Sequence, residues 1–204
     1  MTETPGIRSW REPSYPLETE RLLLRPFTEA DFDGLSAYQS RPDVTRYLYW
    51  EARSPEEVRE ALEQKIVGRS IAHEDDVFCL AIELKATGQM IGDVILSLKS
   101  LPNRTAELGY VLHPDHHGHG YATEASRELL RIAFEDLGLH RVVAGLEARN
   151  LASARVLEKL GMRREAHLVE DEFVKGEWQS AIEYAILDRE WRATADPQPP
   201  AISS

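Results

Sequence analysis

The run from Ala106 to Leu112 has the composition of a strand, and the eight residues after it, His113-Pro114-Asp115-His116-His117-Gly118-His119-Gly120, lead straight into a helix. That helix is announced by Ala122, Ala125, Leu129, Ala133 and Leu137, which recur every three to four positions, and it is stopped by Gly138. A strand, a glycine turn and a helix in this order constrain both fold and chemistry. The first turn of a helix carries unpaired N–H donors and a partial positive charge, and so attracts phosphate. Glycines at the turn let the backbone approach an anion closely. By itself the pattern defines an anion site and no particular ligand.

Two familiar phosphate motifs are excluded. A P-loop requires Gly-Lys-Ser/Thr, and no lysine is present in this loop. The dinucleotide fingerprint needs three spaced glycines near the start of a βαβ unit, whereas this turn has two and comes late in the chain. The histidines at 113, 116, 117 and 119, with Asp115, raise metal binding as a rival. They lack the His-Glu-x-x-His spacing and a distant partner pair, so no metal is expected. Imidazoles beside a phosphate loop can simply donate hydrogen bonds to it.

The remaining elements follow from caps and periodicity. Arg21–Arg25 reads as a first strand, and Thr28 with Asp31 opens a helix through Tyr38. Ser54-Pro55-Glu56-Glu57 is a stronger start for a helix reaching Val67. Val77–Leu84 and Met90–Leu98 form a hairpin around Ala86-Thr87-Gly88. After the long helix come a strand Arg141–Ala148, a short helix from Asn150 to Gly161, and strands Met162–Val174 and Ser180–Leu187 around a turn at Gly176. The class is mixed α/β. One domain is expected over residues 16–192, with an arm at 1–15 and a disordered Pro-rich tail at 193–204.

A net charge of −11 argues against nucleic acid as the main partner and suits a cationic one, although acidity also serves plain solubility. No apolar run approaches the roughly 20 residues that span a bilayer, and the N-terminus lacks signal-peptide features, so no membrane partner and a cytoplasmic location are expected. The single cysteine, Cys79, lies in an apolar run and reads as a small buried hydrophobe. Edge strands near the C-terminus make a homodimer an open expectation.

His117-Gly118-His119-Gly120-Tyr121-Ala122 resembles the Gln/Arg-x-x-Gly-x-Gly/Ala signature of the GNAT acetyltransferase superfamily, departing at its first position. Thr19-Glu20-Arg21-Leu22-Leu23-Leu24-Arg25, Gly120-Tyr121-Ala122-Thr123-Glu124-Ala125, Asn150-x-x-Ser153 with Leu157-Glu158-Lys159-Leu160-Gly161, and Glu177-Trp178 are similar to the branch of ribosomal-protein alanine N-acetyltransferases. The resemblance covers about residues 17–190. It implies a mostly antiparallel sheet of six to seven strands with about four helices, splayed between the fourth and fifth strands. It implies acetyl-coenzyme A as cosubstrate, with the amides of His117, Gly118, His119, Gly120, Tyr121 and Ala122 holding the pyrophosphate. Tyr110, Val111 and Leu112 would pair with the pantetheine arm, and Asn150 would bind near it, cap the helix, or do both.

The same resemblance implies an amine acceptor, a protein N-terminus by its branch and a small amine otherwise. A module that senses acetyl-coenzyme A without turnover is the non-catalytic alternative. Glu107 is the candidate base, or else a structural carboxylate of its strand. The tyrosine acid of many relatives is replaced by Leu157, which leaves Ser153 as proton donor or as ordinary helix-start residue. Met162 stands where relatives have phenylalanine.

Overall fold

The computed structural model describes residue 8 and residues 10–195. Its centre is one open sheet of eight strands: β1 (Leu17–Glu18), β2 (Leu22–Arg25), β3 (Val77–Leu84), β4 (Met90–Ser100), β5 (Thr105–Leu112), β6 (Arg141–Glu147), β7 (Arg163–Val174) and β8 (Glu177–Leu187). The spatial order is β1-β2-β3-β4-β5-β6-β8-β7, and among the described residues only the β5–β6 pair is parallel. The helices are α1 (Phe32–Gln39), α2 (Pro42–Thr45), α3 (Pro55–Val67), α4 (Tyr121–Arg131), α5 (Leu151–Lys159) and α6 (Asp188–Ala195).

Local chemistry explains most boundaries. Ser54 and Glu57 close a capping box at α3: the Glu57 amide donates to Ser54 Oγ at 3.3 Å, and the Ser54 amide donates to Glu57 Oε2 at 2.8 Å. The β7–β8 hairpin turns on Lys175 and Gly176, both at positive φ, and this lengthens β8 three residues beyond its expected start. The sheet has one strand more than expected because two-residue β1 pairs with β2. Helices α2 and α6 are also additional. Short α2 has no periodicity to announce it, and α6 is anchored by Trp191, which packs 6.0 Å from Phe134 and donates to Glu135 Oε1 at 3.1 Å.

Apolar side chains cover both faces of the sheet. On one face α4 and α5 bury Leu129, Phe134, Val142, Leu157 and Met162. On the other, α1 and α3 cover Phe27, Leu35, Leu62, Cys79 and Ala81. Within this second layer sits a polar cluster. Asp93 is fully buried; Tyr38 Oη–H donates to its Oδ1, and Lys65 Nζ donates to its Oδ2 at 2.6 Å. Cys79 Sγ lies 3.5 Å from the same ammonium, and burial pushes its thiol up to about 12.

Of the expected arm, Trp10 packs edge-on against Phe78 with ring centres 4.8 Å apart, while residues 1–7 and 9 lie outside the described residues. Of the expected tail, residues 193–195 continue α6 and the rest lies outside the described residues. Among the described residues no helix is long and apolar enough to cross a membrane.

Candidate active site

Strands β5 and β6 pair only over Thr105–Glu107 against Arg141–Val143. Beyond Glu107, β5 runs on to Leu112 and β6 to Glu147 without each other. The splay expected between the fourth and fifth strands of the sequence reading is therefore here, and it leaves the β6-facing edge of Tyr110, Val111 and Leu112 without a ladder partner. A cleft of about 800 Å³ fills the opening, walled by β5, β6, the loop 116–120, the first turn of α4, α5, and the segment 43–50.

The turn into α4 needs its glycines. Gly118 and Gly120 adopt φ of +80° and +85°, where an L side chain is strained. The backbone amides of residues 118 to 123 find no acceptor among the described residues. The imidazole of His117 turns back to the Leu112 carbonyl, with Nε2 at 3.1 Å, and so closes the loop. His119 stacks on Tyr121 with ring centres 5.5 Å apart. Burial and the neighbouring His113 push the His116 imidazole down, toward its neutral form. No group of three or more His, Cys, Asp or Glu among the described residues converges to hold a metal ion. A row of free amides at a helix start fits a diphosphate. Accordingly, Gly120→Val is expected to abolish detectable coenzyme A binding in calorimetry while the far-ultraviolet circular dichroism stays that of the parent. A folded variant with parental affinity would remove the loop from the site.

Across the cleft, Tyr110 Oη lies 2.8 Å from Ser153 Oγ and donates toward the Ser153 carbonyl at 3.1 Å. Burial pushes the Tyr110 phenol up to about 12, so it stays protonated through the neutral range. Asn150 caps α5, its Oδ1 accepting the Ser153 amide at 3.1 Å, and it also lines the cleft. Leu157 is core, 1% exposed.

The cleft lining also includes an acidic and aromatic set: Asp43, Tyr47, Tyr49, Trp50, Glu107, Glu147 and Glu172. Glu107 is 40% exposed at its side chain and paired with Lys99 at 3.1 Å. Glu147 is different. It is 9% exposed; Oε1 accepts from Arg149 Nε at 2.9 Å, but Oε2 is buried and has no hydrogen-bond partner among the described residues. Strand alternation puts Glu107, Val143, Gly145 and Glu147 on one face, and a Cβ built at Gly145 would sit 4.0 Å from Glu107 Oε1. Sequence reasoning missed Glu147. Its one signal is a carboxylate closing the apolar run from Val142 to Leu146, just before the Asn150 cap.

A helix start with free amides beside a sheet splayed at its parallel pair is the arrangement that the resemblance to acyl-coenzyme A-dependent transferases implies. Residues 21–163 match the acetyltransferase (GNAT) domain family. An uncharacterised N-acetyltransferase of Bacillus subtilis, YnaD, is 32% identical over 175 residues, 86% of this chain and 98% of that protein. The crystal structure of a GNAT-family acetyltransferase from Bacillus anthracis superposes with a TM-score of 0.77 at 29% identity, covering 85% of this chain and 98% of the other. Spermidine N-acetyltransferase from Vibrio cholerae, solved with CoA and spermine, shares the fold at a TM-score of 0.72 and 23% identity, covering 85% and 99%. The chain belongs to the GNAT acetyltransferases and is an N-acetyltransferase that acts with acetyl-coenzyme A, the cosubstrate of that family.

Proposed function

We propose that the enzyme acetylates the primary amine at the end of a slender chain, a peptide or protein N-terminus, by direct attack of the amine on the thioester. The single observation that carries this reading is that one cleft is lined both by the loop whose amides 118–123 find no acceptor among the described residues and by Glu147, with its unpartnered oxygen, among carboxylates and aromatics. Acetyl-coenzyme A supplies the acetyl group as an activated thioester, with its diphosphate on residues 117–122, its pantetheine arm along Tyr110–Leu112, and Asn150 beside that arm. Glu147 Oε2 takes a proton from the arriving ammonium, whose N–H is the donor this buried oxygen lacks, and the neutral amine so formed attacks the thioester. Glu107, held by Lys99, adds negative field in the same cleft. Ser153 gives a proton to the departing thiolate, and Tyr110 holds and replenishes it through the 2.8 Å contact.

The slender acceptor has its own support. Lys175 at the tip of the β7–β8 hairpin donates to the carbonyl of Thr45, the last residue of α2, at 2.6 Å, fastening the hairpin to the point where the segment after α2 begins. Glu172 and Gln179 of the hairpin and Tyr47 and Tyr49 of that segment face the same cleft. Tied banks favour an amine presented end-on over one on a broad rigid body. The α-amine is favoured by chemistry as well, because its pKa of about 7.7–8.0 leaves part of it neutral near pH 7.5.

The acidic and aromatic lining also supports a second reading, a small cationic amine, through charge attraction and cation–π contact. Competition at equal concentration decides between them: peptides with small first residues, spermidine, an aminoglycoside and free amino acids, followed by thiol release. The expected result is highest kcat/KM on a peptide. A small molecule exceeding every peptide by more than about tenfold, roughly 1.4 kcal/mol of transition-state preference, would replace the peptide reading. Cofactor binding with no acceptor turned over would leave an acetyl-coenzyme A sensor.

A further inference from the structure

Arg21, just before β2, sends its side chain across to the loop that precedes α4. Nη1 donates to the His119 carbonyl at 2.9 Å. Nε and Nη2 hold Glu124 Oε2 at 2.7 Å and 2.6 Å, and the Arg21 backbone amide donates to Oε1 of the same carboxylate at 2.7 Å. The Thr19 hydroxyl donates to that Oε1 as well, at 2.5 Å. The guanidinium also lies 4.7 Å from the centre of the Tyr121 ring, on which His119 stacks. One side chain from the far end of the sequence thus touches the carbonyl, the ring and the carboxylate that surround the helix start.

We infer that Arg21 is a positioning residue for the cofactor's diphosphate, acting through the His119–Gly120 peptide and through Glu124. Two physical effects point the same way. A trans peptide directs its C=O and N–H to opposite sides, so a guanidinium that fixes the His119 carbonyl also fixes the Gly120 amide. Gly120 at φ +85° has the freedom to let this peptide turn over. Turned over, it would present an oxygen where the anion needs a donor, and the concave row of amides would lose a member. The second effect is charge. Glu124 sits in the first turn of α4, where a carboxylate interacts well with the helix end and competes with any phosphate drawn to the same place. Arg21 neutralises Glu124 through a forked contact, and the helix end stays attractive to the ligand.

The inference goes beyond the choice of acceptor: the binding measurement needs none, and the kinetic comparison holds one acceptor fixed throughout. Coenzyme A binding is measured by calorimetry. In a second experiment, acetyl-coenzyme A is compared with acetylpantetheine, which carries the same thioester and lacks the diphosphate and nucleoside. Arg21→Ala is expected to weaken coenzyme A about tenfold. It should raise KM for acetyl-coenzyme A by a similar factor, with kcat at saturation unchanged and kcat/KM on acetylpantetheine unchanged. Arg21→Lys, which keeps the charge and loses the fork, is expected to recover part of the affinity. It also keeps the test available if the alanine variant does not fold. Equal losses on both thioesters would make Arg21 a purely structural residue and overturn the inference, as would parental affinity in either folded variant. Failure of the wild-type protein to bind coenzyme A would instead remove the cofactor assignment itself.

Discussion

Glu147→Gln is expected to lower kcat by about 10²–10⁴-fold, the usual scale of a general base, with the sheet intact. The amide keeps an oxygen for Arg149 Nε, now 2.9 Å from Glu147 Oε1, and places an NH2 group where the unpartnered Oε2 stands. That end of the side chain then donates where a proton has to be accepted. Loss should be greatest below the pKa of the acceptor, about 7.7–8.0 for an α-amine, where most of it arrives as ammonium. It should shrink as pH rises and free amine becomes abundant. Glu107→Gln is the matched control. Glu107 is already paired with Lys99 and open to solvent, so its replacement should change KM for a cationic acceptor by less than tenfold and leave kcat near the parental value. The pH–rate profiles of the two variants on one peptide decide the matter. If Glu147→Gln follows the parental profile while Glu107→Gln loses the low-pH limb, the base is Glu107.

The two carboxylates mark where sequence reading reached and where it stopped. Caps and turns are local, and they were legible: Ser54 with Glu57 predicts α3 to its first residue, and Gly118 with Gly120 places the helix start of α4. The splay was legible only through the family resemblance, because no local pattern in Ala106–Leu112 or Arg141–Ala148 says that their pairing stops at Glu107 and Val143. Once it stops there, a carboxylate four residues further along β6 faces a cleft. Burial of Glu147 depends on β8 alongside and on the Arg149–Glu177 contact at 2.5 Å, which joins residues 28 apart in sequence. The role of the Tyr110 side chain was hidden in the same way. Strand pairing is a backbone property and draws attention to its main chain, while its hydroxyl finds Ser153 across 43 residues. The phosphate-loop histidines show the converse. Four imidazoles in seven residues suggest ligands, yet His117 closes its own loop and His119 stacks on its neighbour.

Lys65→Met is expected to destabilise the protein by about 3–5 kcal/mol, the cost of leaving one charge of a buried pair alone. Nothing in the sequence joins Lys65, on α3, to Asp93, on β4, and each reads singly as a surface charge. In the fold they meet at 2.6 Å, with Tyr38 on the other carboxylate oxygen, so α1, α3 and β4 are pinned at one point. Burial alone would push the Lys65 ammonium down, but attraction to Asp93 prevails and its pKa rises above the ordinary 10.5. A raised lysine pKa contributes stability that is fully present below 10.5 and is lost as pH climbs through the higher folded-state value. Hence the gap between wild type and Lys65→Met in urea unfolding should be constant from neutral pH to about 10 and should narrow above it. Asp93→Asn in the Lys65→Met background is expected to recover much of the loss, because asparagine still accepts from Tyr38 and carries no charge to strand. The double-mutant cycle is therefore strongly non-additive if the pair is what pins the helices. Additive losses, or a Lys65→Met variant within about 1 kcal/mol of wild type, would show that apolar packing around Leu35 and Leu62 holds this layer and the ion pair contributes little.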